Sequence, residues 1–178
     1  MIKTFLLKPT LPLALLCLAL LPSAPARAQD KAAPLSPAEK TFIAEAYAGG
    51  LSEVKMGELA KTKATGTEAK ALAERLVTDH RKADEALRKL AMNHGVTLPT
   101  EPPAAEQTAY QSLEKKQGAQ FDKAFARHAT KDHKKDIAKF EKAAKKATAA
   151  DLKAFIDQTL PVLKEHLALA QAAGGKEK

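Results

Sequence analysis

The chain has 178 residues, a formal net charge of +8 and one cysteine. Aromatic residues account for 4% of it and tryptophan is absent, which argues against the stacking surface that proteins use to bind single-stranded nucleic acids. We therefore expect no nucleic-acid partner. The length is sufficient for one domain with an adequate hydrophobic core.

The first 28 residues have the organisation of a secretory signal peptide. Two lysines precede an apolar stretch at residues 10–21, and Ala26-Arg27-Ala28 places small residues at the two positions that signal peptidase reads. The apolar stretch is shorter than the ~20 residues that span a bilayer. We predict cleavage after Ala28 and export to the periplasm, with lipidation at Cys17 as the alternative. Cleavage removes three basic residues, so the formal charge falls from +8 to +5.

The mature chain is predicted to form one all-α domain. Residues 29–35 are expected to be a flexible linker, residues 36–173 a helical bundle and residues 174–178 a flexible tail. Ser36 and Glu39 have the spacing of a capping box at the start of the first helix. Apolar residues recur at steps of three or four, which predicts a four-helix up-down bundle. The long helices are expected at about 36–62, 67–94, 119–147 and 150–173, with a short extra helix at 104–117 in the crossing between the second and third.

Three histidines, His80, His133 and His166, lie on the apolar rows of three different helices. We expect neighbouring helices to be antiparallel, with the turn between the first two long helices and the turn between the last two at one end of the bundle. Counted from these turns at 1.5 Å per residue, the depths of the three histidines differ by only about 5 Å. They are therefore predicted to form one layer.

The first helix has two glycines, Gly49 and Gly50, at the same depth, and Glu53 lies one turn further along. Each glycine costs a helix about 1 kcal/mol relative to alanine, so the pair is expected to make room opposite the histidines. Three imidazoles, a carboxylate and a free position are typical of a transition-metal site. The predicted ligands of a divalent transition metal are therefore the three histidines and Glu53.

Two other interpretations of the histidine layer stay open. Buried histidines that only fix the packing would belong to a non-catalytic structural or interaction protein of the cell envelope, and an open metal site would also suit a redox enzyme. The Glu-x-x-His motif of di-iron bundles is absent, because Val77, Thr130 and Leu163 stand three residues before the histidines. The sequence also lacks a nucleophilic triad, a phosphate-binding loop and paired catalytic carboxylates. We therefore predict no catalytic residues, and we favour a protein that binds a metal ion or a small ligand at the histidine layer over an enzyme.

One face of the third long helix is rich in lysine. Asp132, Asp136 and Glu141 lie among the lysines, so a solvated face with ion pairs is the simpler interpretation. The alternative is a weak contact with an anionic surface of the cell envelope. It would involve Lys131, Lys134, Lys135, Lys139, Lys142, Lys145 and Lys146.

Several short motifs occur in an order typical of one bacterial family. They are the segment AGGLSEVKMGELA at residues 48–60, Asp79-His80, the segment GVTLP at residues 95–99, Phe121-Asp122, Asp132-His133 and the segment LPVLKEHL at residues 160–167. Over residues 36–172 the chain thereby resembles the bacterial exported "domain of unknown function 4142" family. The resemblance implies a ferritin-like helical bundle exported to the envelope, where members are often labelled outer-membrane proteins. The three histidines and Glu53 match motif positions of that family.

Overall fold

A computed structural model describes residues 34–175, and most of them are helical. The five α-helices are α1 (Pro37–Lys63), α2 (Thr67–His94), α3 (Ala104–Glu114), α4 (Gly118–Ala144) and α5 (Ala150–Ala170), the last of which continues into a π-helical turn, Gln171–Gly175. No strand occurs within residues 34–175, and the all-α prediction is confirmed. The predicted helix ends agree with the observed ones to within about three residues. The predicted signal peptide lies outside the described residues.

The start of α1 is fixed by the predicted capping box. The Ser36 side chain accepts a hydrogen bond from the backbone of Glu39, and Glu39 Oε2 accepts one from the backbone N–H of Ser36 at 2.8 Å. The other carboxylate oxygen, Oε1, accepts a hydrogen bond from the backbone N–H of Thr148 at 2.7 Å. Glu39 therefore joins the start of α1 to the connection between α4 and α5.

The two short connections of the bundle lie at opposite ends. Asp122, in the first turns of α4, accepts hydrogen bonds from the backbone N–H groups of Thr65 and Gly66 in the α1–α2 turn. The α4–α5 connection lies instead against the start of α1, through Thr148 and Glu39. The prediction that both turns share one end was wrong, because apolar periodicity defines helices and their faces but not the path of a long connection.

The connection from α2 to α4 runs back along the bundle. Glu101 pairs with Lys55 in the second half of α1, with the Oε2 and Nζ atoms 2.9 Å apart. Near the start of α4, Lys63 donates hydrogen bonds to the backbone oxygens of Glu114 and Lys116. Consequently α2 and α4 begin at the same end and run in the same direction, while α1 with α2 and α4 with α5 form two antiparallel pairs.

The apolar core is divided into two parts with the histidine layer between them. The first part contains Leu35, Ile43, Tyr47, Leu87, Leu90, Ala91, Phe140, Ala149, Leu152, Phe155, Ile156 and Leu163. The second contains Met56, Ala60, Ala64, Ala69, Leu72, Ala73, Leu76, Leu113, Phe121, Phe125, Ala129 and Ala170. Leu35, the last residue of the predicted linker, is thus buried in the core. Each half excludes water from one side of the layer.

The lysine-rich face of α4 carries ion pairs. Lys135 Nζ lies 3.3 Å from Asp132 Oδ1, and Lys139 Nζ lies 3.6 Å from Glu45 Oε2 of α1. Contact of this face with an anionic surface stays a prediction. Among the helices of residues 34–175, none is both long and apolar enough to cross a membrane.

Candidate metal centre

His80 of α2, His133 of α4 and His166 of α5 meet in the middle of the bundle. The ring centroids of His133 and His166 are 5.2 Å apart, and that of His80 lies 5.7 and 5.3 Å from them. One ring nitrogen from each residue can be chosen so that all three lie within 4.8 Å of one another. All three side chains are buried, so the layer is closed to bulk water.

The outer nitrogen of the His133 ring, which is the one directed away from the other two histidines, forms a hydrogen bond with the backbone of its own helix. His133 Nδ1 lies 2.9 Å from the carbonyl oxygen of Ala129. A carbonyl oxygen can only accept, so Nδ1 carries the proton. In a neutral ring the other nitrogen, Nε2, then presents a lone pair. This nitrogen faces the centre of the layer.

The outer nitrogen of the His166 ring is committed to a carboxylate. His166 Nε2 lies 2.9 Å from Oδ2 of Asp79, and the same oxygen is 2.6 Å from Nε of Arg75. Arg75 also pairs with Glu165 at 3.1 Å. An ionised Asp79 accepts the Nε2–H hydrogen bond, which leaves the lone pair of His166 on Nδ1.

The two lone pairs face each other. His133 Nε2 and His166 Nδ1 are 3.2 Å apart, yet the outer partners hold the proton of each neutral ring on the opposite nitrogen. Burial lowers the pKa of His133 to about 4 and also lowers the pKa of His166, so an additional proton is disfavoured near neutral pH. A bound cation would remove the conflict, because two nitrogen ligands of a tetrahedral ion lie about 3.3 Å apart when the bonds are about 2.0–2.1 Å.

The His80 ring offers the third nitrogen. Its Nε2 is buried and has no hydrogen-bond partner within residues 34–175. Burial, with His133 and His166 nearby, lowers the pKa of His80 well below the ordinary value, which keeps the ring neutral and able to act as a ligand. A cavity of about 20 Å³ adjoins His80 and is also lined by Asp84 and Asp136. That volume can hold one water molecule or another small fourth ligand.

Of the two glycines of α1, Gly50 makes room for a carboxylate rather than for the histidine rings. A Cβ atom added to Gly50 would lie 2.0 Å from Oδ1 of Asp84, one turn beyond His80 on α2. A Cβ added to Gly49 would meet Asp136 Oδ2 at an ordinary 3.9 Å. The expectation of an empty wall opposite the layer is therefore corrected: Asp84 fills the space that Gly50 leaves.

Glu53 lies beside the layer without joining its nitrogens. Its Oε1 is 3.6 Å from His133 Nδ1, the nitrogen that already donates to Ala129. No group of mutually close metal-ligand atoms in the described part of the chain includes Glu53. Burial raises the pKa of Glu53 to about 8, so its carboxyl is largely protonated at neutral pH. Its role as a metal ligand stays a prediction, and the geometry favours the three histidines alone.

A second cluster, which sequence reasoning missed, lies between α3 and α4. It consists of Glu106, His128 and Asp132, and its ligand atoms also lie within 4.8 Å of one another. His128 Nε2 is 2.9 Å from Asp132 Oδ2 and 3.1 Å from Glu106 Oε2. The spacing of His128 and Asp132, four residues apart on one helix, could have indicated the pair. Glu106 could not be added from sequence, because the position of α3 depends on the long connection.

Solved structures share this fold at low sequence identity. A DUF305 fragment from Deinococcus radiodurans superposes with a TM-score of 0.71 at 13% identity, covering 80% of this chain and 99% of its own. CopM in the Cu(I)-bound form superposes with a TM-score of 0.64 at 15% identity, covering 75% of this chain and 93% of its own. A DUF305 protein from Streptomyces coelicolor, described as secreted, gives 0.68 at 13% identity, with coverages of 79% and 95%.

No curated protein matches the chain by sequence. The chain belongs to the family described as "Domain of unknown function (DUF4142)", whose model matches residues 24–173. Membership agrees with the motif order of the sequence. The matched region contains all three layer histidines and every residue of the second cluster.

Proposed function

We propose that this DUF4142 protein binds a copper ion, as Cu(I), through His80, His133 and His166. The observation that carries the proposal is the 3.2 Å approach of His133 Nε2 and His166 Nδ1, two nitrogens that present lone pairs when the outer partners hold the ring protons. Metal-bound histidines usually donate their other N–H to a carboxylate or a backbone carbonyl. Asp79 and the Ala129 carbonyl occupy those two positions here.

The charge of the surroundings favours a monovalent ion over a divalent one. The three rings are neutral, and burial raises the pKa values of Glu53, Asp84 and Asp136 to about 8, 7 and 6, so these carboxyls carry less negative charge near neutral pH than exposed ones do. The nearest ion-paired group, Arg75 with Asp79 and Glu165, carries one net negative charge. In the Born description the desolvation cost of an ion grows with the square of its charge, so Cu(I) costs about a quarter as much to bury as a divalent ion of equal size. Cu(I) therefore takes the place of the divalent ion that was predicted from the sequence.

Two further observations support a copper-binding role in the periplasm. The fold is similar to that of CopM, which has been solved in its Cu(I)-bound form. The predicted signal peptide would export the chain, and a structural neighbour from Streptomyces coelicolor is described as secreted. Imidazole is among the ligands that suit copper, so the three-histidine set is chemically compatible with this role.

The test is a Cu(I) titration of the mature protein under reducing, oxygen-free conditions against a coloured Cu(I) chelator. We expect one Cu(I) per chain for the wild type. His166→Ala should lower the affinity at least tenfold. His94→Ala is the matched control, since the side chain of His94 is only 3% exposed but pairs with Asp151, 2.8 Å away, at the far end of α2. It should bind Cu(I) like the wild type.

The rival interpretation is a layer that only fixes the packing of the bundle. It would be favoured if the wild type took up no Cu(I), or if His166→Ala and His94→Ala retained equal affinity. Circular dichroism of each variant would establish that helical content is retained. X-ray absorption at the copper edge should find about three nitrogen neighbours in the wild type.

A further inference from the structure

We propose a second cation site, separate from the histidine layer, in which Glu106 of α3 and His128 and Asp132 of α4 bind a divalent first-row ion such as Mn²⁺. The three residues come from two helices that are joined by a short connection at residues 115–117. The site does not depend on copper binding at the layer. Its ligands, exposure and charge are different from those of the three buried histidines.

The cluster has the spacing of a metal coordination shell. Asp132 Oδ2 and Glu106 Oε2 lie 2.9 and 3.1 Å from His128 Nε2, whereas neighbouring ligands of an octahedral ion are about 3.0 Å apart when the bonds are about 2.1 Å. Lys135 pairs with the other oxygen of Asp132, Oδ1, at 3.3 Å. That contact leaves Oδ2 directed towards the imidazole and Glu106.

The single N–H at His128 Nε2 cannot fully satisfy the carboxylate oxygens of both Asp132 and Glu106. His128 has a single hydrogen on Nε2, and Glu106 Oε2 is buried without a hydrogen-bond partner among residues 34–175. Glu53 adds an independent observation, because it is only 3% exposed and its Oε2 likewise lacks a partner in the described part of the chain. After burial, the strongest influence on the pKa of Glu53 comes from His128. Glu106 Oε2 is therefore a buried oxygen of the cluster that is available to a cation, and the unpartnered Glu53 Oε2 belongs to a carboxyl near enough for its pKa to respond to His128, Asp132 and Glu106.

The donor set favours a harder ion than the histidine layer does. Carboxylates suit Mg²⁺, Ca²⁺ and Mn²⁺, while an imidazole adds affinity for first-row transition metals. One imidazole with the carboxylates of Glu106 and Asp132 combines both kinds of ligand. Mn²⁺ meets these preferences, and it is distinguishable from Cu(I) by its magnetic properties. The two sites are thus expected to take different ions.

An ion can reach the second site from solvent. The side chains of Glu106, His128 and Asp132 are 20, 17 and 13% exposed. Glu106 also lines a groove of about 740 Å³ between α1 and α3, together with Tyr110 and Glu114. The remaining coordination positions of an octahedral ion can therefore be filled by water.

The alternative explanation of the cluster is an ion pair that holds α3 against α4. Burial opposes a charge on His128, but the carboxylates of Asp132 and Glu106 outweigh this effect and raise its pKa to about 10. A protonated imidazole would then hold the two acids together without a metal. In that case the cluster would have no affinity for Mn²⁺.

Electron paramagnetic resonance of Mn²⁺ separates the two accounts, since binding broadens the six-line signal of the free ion. With the mature protein at pH 7.5 we expect one Mn²⁺ per chain. Glu106→Gln should weaken binding at least tenfold, while Glu114→Gln, on the same helix and groove wall, should not change it. His133→Ala should retain Mn²⁺ binding, which would separate this site from the histidine layer.

Asp132→Asn is a second variant, which is needed if Glu106→Gln allows α3 to move away from α4. It should also lose Mn²⁺, with helical content unchanged by circular dichroism. The proposal is overturned if the wild type leaves the Mn²⁺ signal unchanged at millimolar concentrations, or if Glu106→Gln binds Mn²⁺ like the wild type. If Glu106→Gln had a lower thermal midpoint but an unaltered Mn²⁺ response, the cluster would be an ion pair that holds α3 against α4.

Discussion

His133 Nε2 and His166 Nδ1 lie 3.2 Å apart in the middle of the bundle, and in each ring the other nitrogen already has an oxygen partner. The proton of the first ring is held on Nδ1 by the Ala129 carbonyl, and that of the second on Nε2 by Asp79. Close approach of two acceptor nitrogens in a low-dielectric interior is unfavourable. The surrounding helices thus hold together a pair of rings that a cation would stabilise.

The first prediction concerns the proton positions in these rings. Long-range ¹H–¹⁵N correlation spectra of the metal-free protein at pH 7.5 should identify His133 as protonated at Nδ1 and His166 as protonated at Nε2. Both rings should be neutral, because burial lowers the pKa of each. A proton found on His133 Nε2 would mean an ordinary hydrogen bond to His166 and would remove the main argument for a metal.

The second prediction concerns the carboxylate behind His166. Asp79→Asn removes the charge that fixes the Nε2–H tautomer, so Cu(I) affinity should fall by about 10- to 100-fold, as it does when outer partners of metal ligands are changed. Glu165→Gln is the matched control, because Glu165 shares Arg75 with Asp79 but has no hydrogen bond to His166 among those of residues 34–175. Equal affinities of the two variants would exclude a positioning role for Asp79.

The third prediction concerns the two adjacent glycines of α1. Gly50→Ala should destabilise the fold by about 1–3 kcal/mol, as overpacking does, because its Cβ would displace the buried Asp84 carboxylate. Gly49→Ala meets ordinary van der Waals distances and should stabilise α1 by up to about 1 kcal/mol through helix propensity. Urea denaturation measures both effects.

A double mutant checks the reason for the difference. If Asp84 is the obstacle, Asp84→Ala should relieve most of the destabilisation caused by Gly50→Ala, and the two changes should not be additive. Additive free energies would place the conflict elsewhere. The Asp84→Ala variant alone serves as the reference for this comparison.

The fourth prediction concerns acid stability at the end of the bundle. The backbone hydrogen bond from Thr148, together with those from Ser36, lowers the pKa of Glu39 to about 2 despite the opposing effect of burial. Since the folded pKa lies below the ordinary glutamate value of 4.5, the ionised carboxylate stabilises the fold above pH 4.5. Its contribution should be lost as the pH falls from about 4.5 to about 2.

The measurement is the free energy of unfolding of wild type and Glu39→Gln across this pH range. The variant should be less stable by about 2 kcal/mol near neutral pH, the scale of hydrogen bonds to a charged group, and the difference should shrink below pH 4.5. Glu141→Gln, in an exposed pair with Lys164, should change stability much less. A pH-independent difference for Glu39→Gln would contradict the assigned contacts.

The sequence by itself determined the helices and the level of the histidines. Apolar periodicity and capping residues are local properties, so the helix ends could be predicted to within about three residues. His80 lies 13 residues from the start of α2 and 14 from its end. Its distance along the helix axis is therefore nearly the same from either end of the bundle. This is why the layer was predicted although the two turns were placed at the same end.

Only the tertiary structure decided how the layer can act chemically. The tautomer of His133 depends on the Ala129 carbonyl oxygen of its own helix, and that of His166 depends on the Asp79 carboxylate of a neighbouring helix. The space beside Gly50 is likewise filled by Asp84 of the neighbouring helix. The second cluster depends on Glu106, which the long connection places against α4. Periodicity specifies which face of a helix is buried, but hydrogen-bond direction and the position of a connection follow from the packing of the whole bundle.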